Sequence, residues 1–150
     1  MGAKRTRCNW VQVFSEQTWR EFLEAGATVT GFRQKRWPVV KKIAPRDYLL
    51  CYISKVGLWI AALEATSEPY EDNNRRVWKD ELFPCRVDVR VIVQLQQGNA
   101  VPIRKLREEL SIFKSSNWGA YLLGSPTKFS PEDAAIVLRE LRQAKLDSRK

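Results

Sequence analysis

Hydrophobic and polar positions alternate in short runs along most of this 150-residue chain. Trp10–Phe14 (WVQVF) is aromatic and β-branched and predicts a first strand. Ser15 follows as an N-cap. Trp19, Phe22 and Leu23 then recur at helical spacing up to Gly26, which predicts a helix over about residues 16–25. Thr28–Phe32 reads as extended, Pro38 as the start of a single helical turn, and Ala44–Asp47 as a turn. Tyr48–Ser54 and Leu58–Thr66 are apolar runs joined by Lys55-Val56-Gly57, the pattern of a hairpin. A polar loop covers Ser67 to about Arg76. Phe83–Val93 has period two, with Val87, Val89, Val91 and Val93 on one face and Arg86, Asp88 and Arg90 on the other, as in a half-buried strand. Ile103, Leu106 and Leu110 predict a helix after Pro102, and Trp118–Leu122 a strand. Ser130-Pro131-Glu132-Asp133 marks the start of a last helix, with its acids favoured by the helix dipole.

Strands dominate the middle of this order, and no repeated βαβ alternation appears. The reading is α+β: a small mixed barrel flanked by short helices. Residues 1–8 read as a basic N-terminal tail, 9–146 as one domain and 147–150 as a C-terminal tail.

Composition narrows the chemistry. The chain has no His, so it contains no Ser–His–Asp triad, Cys–His dyad or His-ligated zinc. Cys8, Cys51 and Cys85 form no C-x-x-C pair, and the last two sit in apolar runs as small hydrophobes. Phosphate-binding glycine loops and metal-ligand spacings are absent. The acid pairs Glu71/Asp72, Glu108/Glu109 and Glu132/Asp133 fall on loops or solvated helix faces. No apolar run approaches the ~20 residues of a membrane span, and the basic start lacks the apolar stretch of a signal peptide. A non-enzymatic cytoplasmic protein with no cofactor and no membrane partner is expected.

Charge and aromatics are what remain. The formal net charge is +9. Between residues 33 and 46, Arg33, Lys35, Arg36, Lys41, Lys42 and Arg46 carry six positive charges with no acid among them. That run is either a solvated loop or a surface for phosphates. Six Trp favour the second, because an aromatic face beside a basic groove stacks bases. Trp37, Trp59 and Trp78 fall in or beside loops or a short hairpin, and Trp78 is expected to serve binding more than packing.

Several blocks together resemble the EVE domains. They are the Trp10–Ser15 strand with its Trp-bearing helix, and Gly31-Phe32 running into the basic loop. Ile43–Tyr70 (IAPRDYLLCYISKVGLWIAALEATSEPY), Arg76–Val91 (RVWKDELFPCRVDVRV) and Leu110–Gly124 (LSIFKSSNWGAYLLG) follow, with the S-P-E-D helix. The resemblance spans roughly residues 9–142 and is closest to compact, stand-alone members. It implies a PUA-like fold, a mostly β pseudo-barrel flanked by helices and related to YTH domains. It also implies a non-catalytic reader that takes a modified base of DNA or RNA into an aromatic-walled pocket, with a nuclease or a modification system as a possible partner.

On that resemblance, Thr30 stands where many members carry a pocket-wall Trp, with Phe32 two residues on. Trp78 falls at a second aromatic wall, and Tyr52 and Ser54 fall on the strand whose end lines the pocket. Ser15, Gly31 and Ser54 would read the base edge, and Trp118 lies in the matching C-terminal block. Arg33, Lys35, Arg36, Trp37, Lys41, Lys42 and Arg46 would face the backbone; Arg46 replaces the Gly of a P-G-D turn. The alternatives are a general RNA-binding accessory of the PUA kind without a selective pocket, and a small-molecule hydrolase using Lys, Thr and Glu.

Overall fold

Two offsets in strand register bend the centre of the molecule. The computed structural model describes residues 6–114, 119, 122 and 124–148. Its strands are β1 (Asn9–Phe14), β2 (Val29–Phe32), β3 (Tyr48–Ile53), β4 (Leu58–Ala65), β5 (Tyr70–Glu71), β6 (Cys85–Gln94), β7 (Val101–Pro102) and β8 (Thr127–Phe129). They form one sheet in the order β2-β6-β4-β3-β1-β8, with β5 beside β6 and β7 beside β4. Register shifts at Cys51/Tyr52, against β4, and at Ala62/Leu63, against β6, mark bulges or irregularities. Such irregularities add local twist and bend, and the sheet curls into a half-barrel. The curl brings β1 and β2 together although they are not neighbours in the sheet: Gln12 Nε2 on β1 donates to Gly31 O on β2 at 3.4 Å.

The helices are α1 (Glu16–Glu24), the single turn α2 (Trp37–Val40) and α3 (Pro131–Asp147). Ser15 caps α1 through a reciprocal pair: its Oγ accepts from Thr18 N at 3.0 Å, and Thr18 Oγ1 accepts from Ser15 N at 2.9 Å. Trp19 and Phe22 turn inward and pack with Phe14. Helix α3 closes the other face over β3, β4 and β6, burying Ala134, Val137 and Leu141. The turn before β3 is built on Asp47, which is fully buried. It accepts from Cys8 N, Trp10 Nε1 and Ala44 N at 2.9–3.0 Å. Arg46 in that turn has φ +78°, a left-handed backbone suited to the Gly that the EVE pattern carries there.

Several expectations from the pattern need correction. Arg86, read as outward, is completely buried, because a coil segment folds over its end of β6. The helix expected after Pro102 is reduced to 3-10 turns at Ile103–Leu106 and Ser111–Lys114. Asp133 is 1% exposed, and it accepts from Ser111 N, Ser111 Oγ and Ile112 N, so it anchors that irregular stretch rather than facing solvent. Trp59 is core, tilted against Phe129. Arg7, read as tail, lies 4.1 Å over the Tyr48 ring. Of the strand expected over residues 118–122, only Gly119 and Leu122 are among the described residues.

The stretch between β5 and β6, Asp72–Pro84, contains no helix or strand. Arg86 organises it. Its guanidinium donates to Asp72 Oδ2 (3.3 Å), Leu82 O (3.1 Å), Phe83 O (3.2 Å) and Arg75 O. Burial lowers the guanidinium's pKa, and the Asp72 carboxylate opposes that shift. Replacing Arg86 with Met removes the one guanidinium that all four acceptors share. We expect Arg86→Met to cost about 3–5 kcal/mol in urea unfolding, and an unchanged midpoint would show that the stretch holds without it.

On the same sheet end, the Tyr70 hydroxyl donates to Asp88 Oδ1 at 2.5 Å. Burial first, and then that hydrogen bond to Asp88, push the phenol up to about 12. The neutral phenol therefore stabilises the fold fully below its ordinary pKa of about 10, and this contribution fades as pH rises through about 12. Tyr70→Phe should flatten the loss of stability across that interval, measured as urea midpoints at about pH 8 and about pH 11.5.

Candidate nucleic-acid interface

Strands β1 and β3 are parallel neighbours, paired from Asn9↔Tyr48 to Phe14↔Ile53. Their carboxyl ends therefore finish side by side, at Phe14-Ser15 and at Ser54. Helix α1 starts there, and the end of β2 reaches the same place through the curl. Asp72–Pro84 forms the outer wall. Between these elements is a cavity of about 540 Å³, within the usual range for small-ligand sites.

Its aromatic side is built on Gly31. A Cβ at that position would meet Phe83 O at 2.7 Å and the Trp78 ring at 2.8 Å, so the missing side chain is what lets the Trp78 ring lie on the strand. Trp78 is 2% exposed, its Nε1–H donates to Thr18 O at 3.2 Å, and Phe83 meets it edge-on at 5.3 Å. Arg86 stands 5.8 Å from the same ring. Trp78 is thus packed and wall-forming at once, which corrects the expectation that it serves binding more than packing. Phe32, also 2% exposed, completes this side.

The rim carries both signs of charge. Arg33, Lys35 and Arg36 line the cavity, and so do Glu21, Asp80 and Glu81. Arg36 donates to the carbonyls of Ser125 and Pro126 at 3.2 and 2.8 Å. Arg33 holds Glu81 through two parallel bonds of 2.9 and 3.0 Å. The hydrogen bond to Arg33 pulls the Glu81 carboxyl below its ordinary range, and the same bond raises Arg33. Glu21 Oε2 accepts from Lys79 N at 3.0 Å, while its Oε1 is buried without a partner among the described residues.

Of the residues expected to bind ligand, Ser15, Gly31, Phe32, Ser54 and Trp78 line this cavity, as do Arg33, Lys35 and Arg36 from the basic run. Thr30 does not: it is fully buried and paired with Val87. Tyr52 does not either: its ring packs on Trp59, its register partner on β4, at 5.2 Å. Trp37 is half-buried in α2, and Lys41 and Lys42 are exposed just after it, outside the lining. Arg46 lies at the opposite end of β3, about 20 Å away at ~3.3 Å per residue. Trp118 is outside the described residues. The reading missed Glu21, Asp80, Glu81 and Phe83, which reach the cavity only through the coil wall and the outer side of α1; the pairing of Trp78 with Phe83 in a charged loop was the available signal.

The sequence matches no protein-family model and no curated protein. Solved structures do share its architecture. The Pho92 YTH domain in complex with m6A superposes with a TM-score of 0.69 at 12% identity, over 95% of this chain and 87% of that one. The YTH domain of Zygosaccharomyces rouxii MRB1, solved with N6-methyladenosine RNA, gives 0.68 at 14% identity, over 95% and 88%. The fold is that of the YTH domains. Rpa0253 from Rhodopseudomonas palustris also shares this YTH-like, PUA-like fold, with a TM-score of 0.65 at 14% identity over 91% and 94% of the two chains. At these identities the likeness is one of architecture. Among the described residues no helix is long and apolar enough to cross a membrane, and no group of three or more His, Cys, Asp and Glu could hold a metal ion.

The Gly31 contact gives a direct test of the wall. Gly31→Ala should force Trp78 or the Phe83 backbone to move and lower stability by about 1–3 kcal/mol. Near-UV circular dichroism should change with it. Gly98→Ala, where a Cβ meets nothing within 4 Å, is the control and should stay within about 0.5 kcal/mol of the parent. Equal behaviour of the two variants would detach Trp78 from Gly31.

Proposed function

We propose that this protein is a non-catalytic nucleic-acid reader of the EVE type, which receives a modified base in the cavity at the ends of β1 and β3. The observation that carries this reading is the cavity itself: Phe32 and Trp78 wall it, Lys35 and Arg36 stand on its lip, and Glu21 supplies an unpaired acceptor. The two YTH structures of like architecture are complexes with m6A and with N6-methyladenosine RNA, which adds support for a base-taking role.

In this reading a base, unstacked or flipped from its strand, enters against the aromatic side. Ser15 and Ser54 contact its edge, and Glu21 Oε1 accepts a hydrogen bond from an amino group on it. Lys35 and Arg36 take neighbouring phosphates, and Lys41 and Lys42 extend the basic track beyond the cavity. A partner that acts on the marked strand, such as a nuclease or a modification enzyme in the cytoplasm, would supply the chemistry this chain lacks.

Fluorescence anisotropy with short single-stranded RNA and DNA, plain and carrying a modified base, tests it. One modified strand should bind about tenfold or more tighter than its plain counterpart, the scale of ~1.4 kcal/mol of stacking. The two phosphate contacts of Lys35 and Arg36 contribute about −1.4 to the log–log salt slope, and Lys35→Ala should flatten it. Equal affinity for every strand would overturn the pocket and favour the RNA-binding accessory instead.

A further inference from the structure

We infer that Glu81 occupies, in the free protein, a phosphate position on Arg33, so that the site takes its base from within a phosphodiester strand whose backbone displaces Glu81. The inference rests on the nucleic-acid reading above and adds the step by which the strand engages.

Three observations carry it. The first is shape. Arg33 presents Nε and Nη2 to the two oxygens of Glu81 in a planar fork. A phosphate offers that fork the same pair of acceptors, and Arg is suited to both. The second is exposure. The side chains of Arg33 and Glu81 are 57% and 43% exposed, so solvent reaches the pair and exchanging one anion for another costs little. The third is placement. Arg33 directly follows the buried Phe32 of the cavity wall, and both members of the pair line the cavity. A phosphate on Arg33 therefore sits beside any base held there.

The surrounding charges fit an exchange. Lys35 also acts on Glu81 through its charge, so two cations that a backbone would claim bear on the carboxylate. Asp80 is next to it, hydrogen-bonded to Gln17 at 3.2 Å. An arriving phosphate meets these acids as like charges and pushes Glu81 outward, while Arg33 stays paired throughout. The protein thus carries its own competitor for the strand, and of the three cations that the basic run brings to the cavity, Arg33 is already matched by an acid.

A double-mutant cycle separates this from a simple effect of net charge. The probe is an unmodified single-stranded RNA of about nine nucleotides, titrated over a range of salt. Glu81→Gln should tighten binding about two- to fivefold, the span expected for releasing one exposed ion pair. Arg33→Gln should weaken binding and reduce the salt slope by about 0.7, one phosphate contact on a single strand. In the Arg33→Gln background, adding Glu81→Gln should give markedly less gain than it gives alone. Thermal melts should show all three variants folded, since both side chains are exposed. Equal gains in the two backgrounds, or no gain in either, would overturn the inference while leaving the reader intact. If neither the parent nor any variant binds single-stranded RNA or DNA, plain or modified, the reading and the inference fall together.

Discussion

A single guanidinium holds together the part of this molecule that makes it more than a small barrel. Arg86 sits on β6, opposite Gly31 of β2 and Tyr70 of β5, and is sealed from solvent. Its donors tie both ends of a stretch that has no ladder of its own, from Asp72 to Phe83. A buried Arg is tolerable only when its donors are matched, and here one carboxylate and three carbonyls match them. The placing of Trp78, Asp80 and Glu81 on the cavity depends on that arrangement. Charge burial, usually a weak source of stability, is used here to fix a shape.

Much of the scaffold was legible because each strand carries its own local evidence. The N-cap at Ser15, the hairpin through Gly57 and the buried Val87 and Val89 of the period-two run are statements about neighbours in sequence, and they hold in the fold, while the register shift between Val91 and Val93 interrupts the rest of that run. What escaped depends on partners far along the chain. Arg86 reads as outward because alternation knows only the two faces of its own strand; whether a face is wet depends on a coil segment closing over it. Asp133 reads as a solvated first-turn acid, but Ser111 and Ile112 arrive to use it. The two-residue strands β5 and β7 are too short to show a period at all.

The site divides in the same way. Phe32, Trp78, Ser15 and Ser54 were reachable from a family pattern in which strand ends line a pocket. Tyr52 was carried along with its strand, although its ring packs on Trp59, its cross-strand partner on β4. The basic run behaves least as a unit. Its charges are adjacent in sequence yet disperse in space: Arg33 is engaged by Glu81, Arg36 by backbone carbonyls, and Arg46 lies just before the other end of β3. Counting charges in a window overstates a local field when the fold distributes them around a barrel.

The pairing of β1 has a consequence for how the chain comes to be folded. This strand lies between β3 and β8, and β8 comes from the last third of the sequence. During synthesis, β1 and β3 can associate early, but one side of β1 keeps its amide and carbonyl groups open until Thr127–Phe129 has emerged. An uncovered strand edge is a template for joining another chain. The interval before β8 arrives is thus the stretch of this protein's life in which intermolecular pairing competes most directly with folding. The contact that ends it joins residues near opposite ends of the sequence, a slow kind of closure.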